Sequence, residues 1–208
     1  MRKDEKVSFY SHLLGFILAL IGTIILIFVT DNTAYKVVSI IYGLSNMTLF
    51  LASSLYHAHK EFNDEESVWR KIDHIAIFLM IAGTYTPVVF VYLSGWWKWS
   101  IITIQWGLVL GGFFFKFYYL NAPRYLYTVI YLLMGWMGII PIAKLFKAMS
   151  GSALTFLFAG GVSYTIGAIF YMIKKPRINI YFGFHEIFHL FILQGAVFHY
   201  LLVFKALS

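Results

Sequence analysis

The sequence predicts an all-α polytopic membrane protein, a bundle of seven transmembrane helices. Three observations carry that expectation. Of 208 residues, 61% are hydrophobic and only 12% are charged, against about 25% charged in an ordinary soluble domain. Aromatic residues make up 20% of the chain, more apolar surface than a soluble domain of this size can cover. The apolar residues also fall into seven runs, each long enough to cross a bilayer core about 30 Å thick. A mean hydropathy of +0.77 excludes a disordered chain as well.

In order, the runs cover residues 13–29, 37–56, 75–93, 101–117, 125–143, 153–173 and 182–204. The first follows a basic stretch and imitates a signal peptide. Its length, and the lack of a small-x-small cleavage site, predict a retained first helix instead. In the third, Pro87 lacks an N–H and is expected to kink the span. Trp96, Trp97 and Trp99 precede the fourth, where an interfacial aromatic belt belongs. The fourth also carries Gly107 and Gly111, and the sixth carries Ala159, Ser163 and Gly167. Small residues four apart predict close approach of neighbouring helices. The linkers are short, so one domain, 1–208, is expected. The longest linker, around 59–70, is too charged to bury a core.

The chain has 16 Lys+Arg against 9 Asp+Glu, a net charge of +7. The basic residues sit between apolar runs, where they set topology and meet anionic lipid, so membrane lipids rather than nucleic acid are the expected partners. With seven spans, 11 of the 16 fall on the side of the N-terminus and 5 on the other. That excess predicts a cytoplasmic N-terminus, an outward C-terminus and residence in the cell membrane. Nothing in the sequence indicates an oligomeric state. Cysteine is absent, which excludes disulfides, thiolate metal sites and a cysteine nucleophile. Any metal must be held by His, Asp or Glu.

Ionisable residues within spans are costly and point to function. His57 ends the second run, Asp73 opens the third, and His185, Glu186 and His189 open the seventh. Counting spans places all of them at one side of the membrane. His185 and His189 are i and i+4, about 40° apart on one helix face and about one turn apart along it. Two imidazoles so placed can share a metal, and His57 can supply a third ligand. Three histidines plus a water make the open tetrahedral arrangement of a catalytic zinc site. Asp73 can hold the water or orient a ligand. Ser53 lies four residues before His57 on the same face and can hydrogen-bond the water or a substrate carbonyl. The plainer alternatives are a solvated histidine pair at a helix end and a packing serine. Glu186 points about 100° away from His185 and is expected to be a helix-start charge or a partner behind a ligand. His12, His59, His74 and His199 are expected at interfaces or in packing.

At these residues the sequence resembles the hemolysin III family, the bacterial branch of the superfamily that includes the progestin and adipoQ receptors. The matching segments are Ser53-Ser54-Leu55-Tyr56-His57, Lys71-Ile72-Asp73-His74 running on to Ala82-Gly83-Thr84-Tyr85-Thr86-Pro87, and Phe184-His185-Glu186-Ile187-Phe188-His189. The likeness covers essentially the whole chain. It implies seven helices, a cytoplasmic N-terminus, and Zn2+ held by His57, His185 and His189, with Asp73 beside the zinc water and Ser53 as the motif serine. A broader likeness extends to alkaline ceramidases and related membrane hydrolases. In the N-terminal pattern Glu5 and Ser11-His12 fit, whereas Ser8 stands where the family usually has asparagine.

Four functions compete. A zinc-dependent intramembrane hydrolase of a lipid amide or ester would use Asp73 as general base or water-positioning group and Ser53 to steady the water or oxyanion. Its reaction class rests on family analogy. A receptor or regulator of membrane lipid state would use the metal structurally. A pore-forming cytolysin needs a soluble stage and a wide polar stripe, and the chain offers neither. An ion transporter needs ionisable groups spaced across the bilayer, whereas these cluster at one side.

Overall fold

A bilayer core offers no water to backbone N–H and C=O groups, so so apolar a chain must satisfy them within helices. The computed structural model describes residues 1–62 and 65–208, and its regular elements among these are all helical. A 3-10 turn, Lys3–Glu5, leads into α1 (Lys6–Val29), followed by α2 (Thr33–His59), α3 (Val68–Tyr92), α4 (Gly95–Tyr118), α5 (Arg124–Gly135), α6 (Ile142–Ala148), α7 (Gly151–Ile173) and α8 (Phe184–Leu207). Six of these helices are each long and apolar enough to span a membrane, and α5 with α6 forms a seventh candidate bent by 54°. The chain is a multi-pass membrane protein.

Local chemistry sets several of the helix starts. The Asn32 side chain accepts hydrogen bonds from the N–H groups of Ala34 and Tyr35 at the start of α2. Ser67 does the same for Arg70 in α3, and Ser150 for Ala153 in α7. These are the donors a helix N-terminus leaves orphaned. Helix α3 runs through Pro87 as one element.

The fifth run was expected to cross as a simple span, yet its helix breaks between Gly135 and Pro141. Proline cannot donate to the preceding turn and its ring crowds it. The groups exposed by the break are taken up by other helices. Tyr85 Oη of α3 donates to the Gly135 carbonyl at 2.6 Å and accepts from the Gly138 N–H at 2.7 Å. Gln105 of α4 donates to the Met134 carbonyl at 3.0 Å. Irregular backbone at membrane depth survives where such partners exist.

The two small-residue stripes meet different fates. On α7, a Cβ at Gly167 would lie 2.9 Å from Phe191 of α8, and Ser163 donates to Gln194 of the same helix. Close approach holds there. It fails on α4: Gly107 and Gly111 are exposed, and nothing lies within 4 Å of a Cβ built on either. Contact on α4 falls instead at Gly112, where a Cβ would lie 2.6 Å from the Phe78 ring of α3. Spacing identified a face on α4 but not the right one.

The largest apolar core gathers the end of the bundle away from the start of α1. It joins Leu26, Tyr42, Val88, Leu145, Leu202 and Val203, all buried. The other end, where α1, α3, α5 and α8 begin and α2, α4 and α7 finish, holds the polar residues.

Candidate metal centre

Helix α2 delivers His57 at its last turn, and α8 delivers His185 and His189 from its first two turns. One nitrogen from each ring lies within 4.8 Å of the others. His57 Nε2 and His185 Nε2 face each other at 3.5 Å. A tetrahedral ion with nitrogen ligands at about 2.0–2.1 Å sets such pairs about 3.3 Å apart. His57 is 1% exposed and His189 2%. Among the described residues, His189 Nδ1 is buried with no partner. Polar rings buried this deeply cost stability unless something meets their lone pairs, and a divalent cation between the three would do so. The donor set fits a metal ion. The i, i+4 pair and the distant third histidine meet as expected from sequence.

The three rings stand at the head of a cavity of about 600 Å³. Ser53, Asp73 and His74 line it near the histidines, and it runs down past Leu49, Ile77, Met80 and Ile192 to Trp136 and His199. Ser53 is buried yet makes no hydrogen bond among the described residues. Ser39, Ser45, Thr48 and Ser54, the other serines and threonine beyond the first turn of α2, all bond back to the carbonyl four residues earlier. Asp73 opens onto the same cavity, and among the described residues its ion-pair contact is with His74 Nδ1 at 3.4 Å. His74 was expected at an interface or in packing, and its tie to Asp73 puts it beside the site.

Residues near the start of α1 crowd behind the histidines; sequence reasoning expected His12 at an interface or in packing and assigned Glu5 and Ser8 no chemistry. Glu5, 4% exposed, has Oε2 at 2.6 Å from His57 Nδ1 and Oε1 at 2.6 Å from Lys60 Nζ. Ser8 donates to Glu186 Oε1 at 3.2 Å, and Glu186 Oε2 accepts the Gly183 N–H at 2.8 Å, capping α8. Glu186 is thus a helix-start charge, as its angle implied, and it ties α8 to α1. The His12 ring stacks on His189 with centroids 3.8 Å apart, its two nitrogens buried without partners among the described residues. The available signal for this layer was the N-terminal family pattern, in which Glu5 and Ser11-His12 fit and Ser8 departs. The cavity wall also carries Arg124, whose guanidinium lies over the Tyr171 ring at 4.5 Å.

Comparison with known proteins agrees with the segments quoted from the sequence. The profile of the family described as Haemolysin-III related matches residues 1–200. A Hemolysin-3 homolog of Bacillus subtilis (strain 168) is 37% identical over 199 residues, covering 93% of this chain and 90% of the relative. Hemolysin-3 of Bacillus cereus is also 37% identical, covering 93% and 87%. Monocyte to macrophage differentiation factor of Homo sapiens is 26% identical over 212 residues, covering 98% and 84%. No solved structure matches. With its profile match running nearly end to end, the chain belongs to the haemolysin-III related family.

Proposed function

We propose that the protein is a zinc-dependent intramembrane hydrolase of a lipid amide or ester, set in the cell membrane with its N-terminus in the cytoplasm. One observation carries the proposal: three imidazoles from two helices converge at the head of a cavity whose deeper walls are apolar. His57, His185 and His189 hold the ion. A divalent ion there supplies Lewis-acid polarisation of a carbonyl and activation of water near neutral pH. Ser53, with its hydroxyl uncommitted, donates to the substrate carbonyl oxygen. Asp73 would accept the proton that water gives up as it attacks the carbonyl and return it to the amine or alcohol that leaves when the C–N or C–O bond breaks, and His74 steadies its carboxylate. Leu49, Ile77, Met80 and Ile192 accept the acyl chain and keep bulk water from the reacting bond.

Metal analysis and turnover by the purified chain test the proposal together. Wild type should carry stoichiometric zinc and hydrolyse a member of a panel of lipid amides and esters. His57→Ala, His185→Ala and His189→Ala should lose both properties. Retention of metal by all three variants removes the site, and a zinc-loaded wild type inert on the whole panel removes the reaction.

The contact between Asp73 and His74 favours a second reading, a regulator of membrane lipid state with a structural metal, because it engages the proposed base elsewhere. Asp73→Asn separates the two. A hydrolase loses turnover and any cellular lipid phenotype together, whereas a regulator keeps the phenotype until His57 is removed.

A further inference from the structure

The Glu5 carboxylate is placed between two groups of opposite character. One oxygen meets the buried His57 ring at Nδ1, and the other meets the Lys60 ammonium, each at 2.6 Å. We propose that Glu5 is the positioning residue of the metal centre, fixing the tautomer of His57 so that its Nε2 lone pair faces His185 and His189. This rests on the three-histidine centre proposed above and goes beyond it.

A neutral imidazole carries one proton on two nitrogens, and a hydrogen bond at one decides what the other can do. A carboxylate only accepts. With Glu5 Oε2 at Nδ1, that nitrogen must hold the proton, and Nε2 is left as a bare acceptor. Nε2 is also the atom that faces His185 Nε2 at 3.5 Å. A carboxylate behind a metal-binding histidine fixes the ring and raises its basicity. Lys60 balances the buried negative charge, which would otherwise be expensive at the edge of the hydrocarbon.

The same stretch of α1 braces the other two ligands. Ser8 holds Glu186, which caps the helix carrying His185 and His189, and His12 lies flat on the His189 ring. Residues 5, 8 and 12 recur at three- and four-residue spacing and so share one helix face. That face is the backing on which ligands from α2 and α8 are set.

Two measurements on the full chain in lipid nanodiscs test the assignment. The first needs no variant at Glu5. In metal-free protein with 15N-labelled histidine, the His57 signals, assigned by their loss in His57→Ala, should show a protonated Nδ1 and an unprotonated Nε2. The reverse tautomer overturns the assignment. The second is zinc affinity by competition with a chromophoric chelator, alongside the melting temperature of the metal-free protein and the visible spectrum of its Co2+ form. Glu5→Gln should weaken affinity by about 10- to 100-fold and shift the Co2+ bands, with little change in metal-free melting. Asp4→Asn, which removes the neighbouring carboxylate paired with Arg2 at 2.6 Å, should change neither. Undiminished zinc affinity in Glu5→Gln overturns the proposal, as does an equal loss in Asp4→Asn, which would make the effect one of general charge. A wild type that takes up no zinc fails differently: it removes the metal centre itself, while the tautomer measurement still reports on Glu5.

Discussion

The two ends of the bundle are built from different materials. Away from the start of α1, Leu26, Val88, Leu202 and Val203 pack with nothing polar to satisfy. At the other end, His57, Ser53, Glu5 and His189 are buried as deeply, between 1% and 4% exposed, in contacts that are directional and few. The apolar end holds the helices together by filling space. The polar end spends that packing on a cavity and is held by specific pairs such as Glu5 with His57 and Ser8 with Glu186. Losses at the first end should therefore appear as stability, and losses at the second as chemistry.

The sharpest way to break this contrast is one substitution at each end of α8. His189→Ala should abolish metal binding and leave the bundle folded. Leu202→Ala, at a position 0% exposed, should keep zinc affinity in the folded fraction and cost about 1–3 kcal/mol of stability. That cost is below the range for soluble cores because lipid is itself apolar and only the cavity penalty remains. Denaturation in mixed micelles, with chelator competition, reads both. Unfolding by the first change, or metal loss by the second, would dissolve the distinction between the ends.

Adjacent serines give the next test. Ser53→Ala should slow hydrolysis by about 10²-fold, the usual loss for one donor to a developing oxyanion, with melting unchanged. Ser54→Ala removes a hydroxyl already committed to the Phe50 carbonyl at 2.9 Å and should leave the rate intact. Equal rates in the two variants would return Ser53 to the role of a packing residue.

The division between ends also explains what the sequence disclosed. A bilayer forces every span to be a long apolar helix, so all seven runs could be read locally, by length and hydropathy. The histidine pair was local too, because i and i+4 share a face on any helix, and His57 joined it through the parity of span counting. The break in the fifth run was not local. Gly135, Gly138 and Pro141 stand in plain view, but the break is sustained by Tyr85 and Gln105, which belong to other helices. Glu5 was hidden for another reason: in the run Arg2-Lys3-Asp4-Glu5-Lys6 it looks like one charge among several at a membrane edge. The family pattern picks it out by position, but its role shows only in its distance to His57, whereas Asp4 pairs with Arg2 instead.

Glycine substitutions sharpen the packing half of the comparison at lower cost. A Cβ on Gly43 would lie 2.1 Å from Thr23 Oγ1, where α1 crosses α2, whereas nothing lies within 4 Å at Gly107. Gly43→Ala should destabilise by about 1–3 kcal/mol, and Gly107→Ala should stay within about 0.5 kcal/mol of wild type. Similar effects at both sites, by the same denaturation assay, would mean that crowding at the α1–α2 crossing does not limit stability.

The smallest effect concerns pH and the linkers. At the apolar end, neutral side chains hold the helix starts: Asn32 on the N–H groups of Ala34 and Tyr35, and Ser150 on that of Ala153. At the polar end, the linker after α2 is held by the Glu65 carboxylate, which accepts from the Glu61 N–H at 2.9 Å and the Phe62 N–H at 3.4 Å. Burial pushes this carboxyl up, but the Glu61 N–H, the Ser67 hydroxyl, the Phe62 N–H and the charge of Lys60 together hold it below its ordinary 4.5. A carboxyl depressed on folding contributes stability above its ordinary value and loses it as pH falls through the lower folded one. Amide-exchange protection at Glu61 and Phe62, corrected for intrinsic rates, should thus fall as the pH drops below Glu65's ordinary 4.5 and through its lower folded value, while protection at Ala34, Tyr35 and Ala153 stays level. Glu65→Gln should flatten the response at Glu61 and Phe62, since its neutral oxygen can accept the same bonds at every pH. A decline of equal depth at both ends would show that acid loosens the bundle as a whole and that the carboxylate clip has no separate part in it.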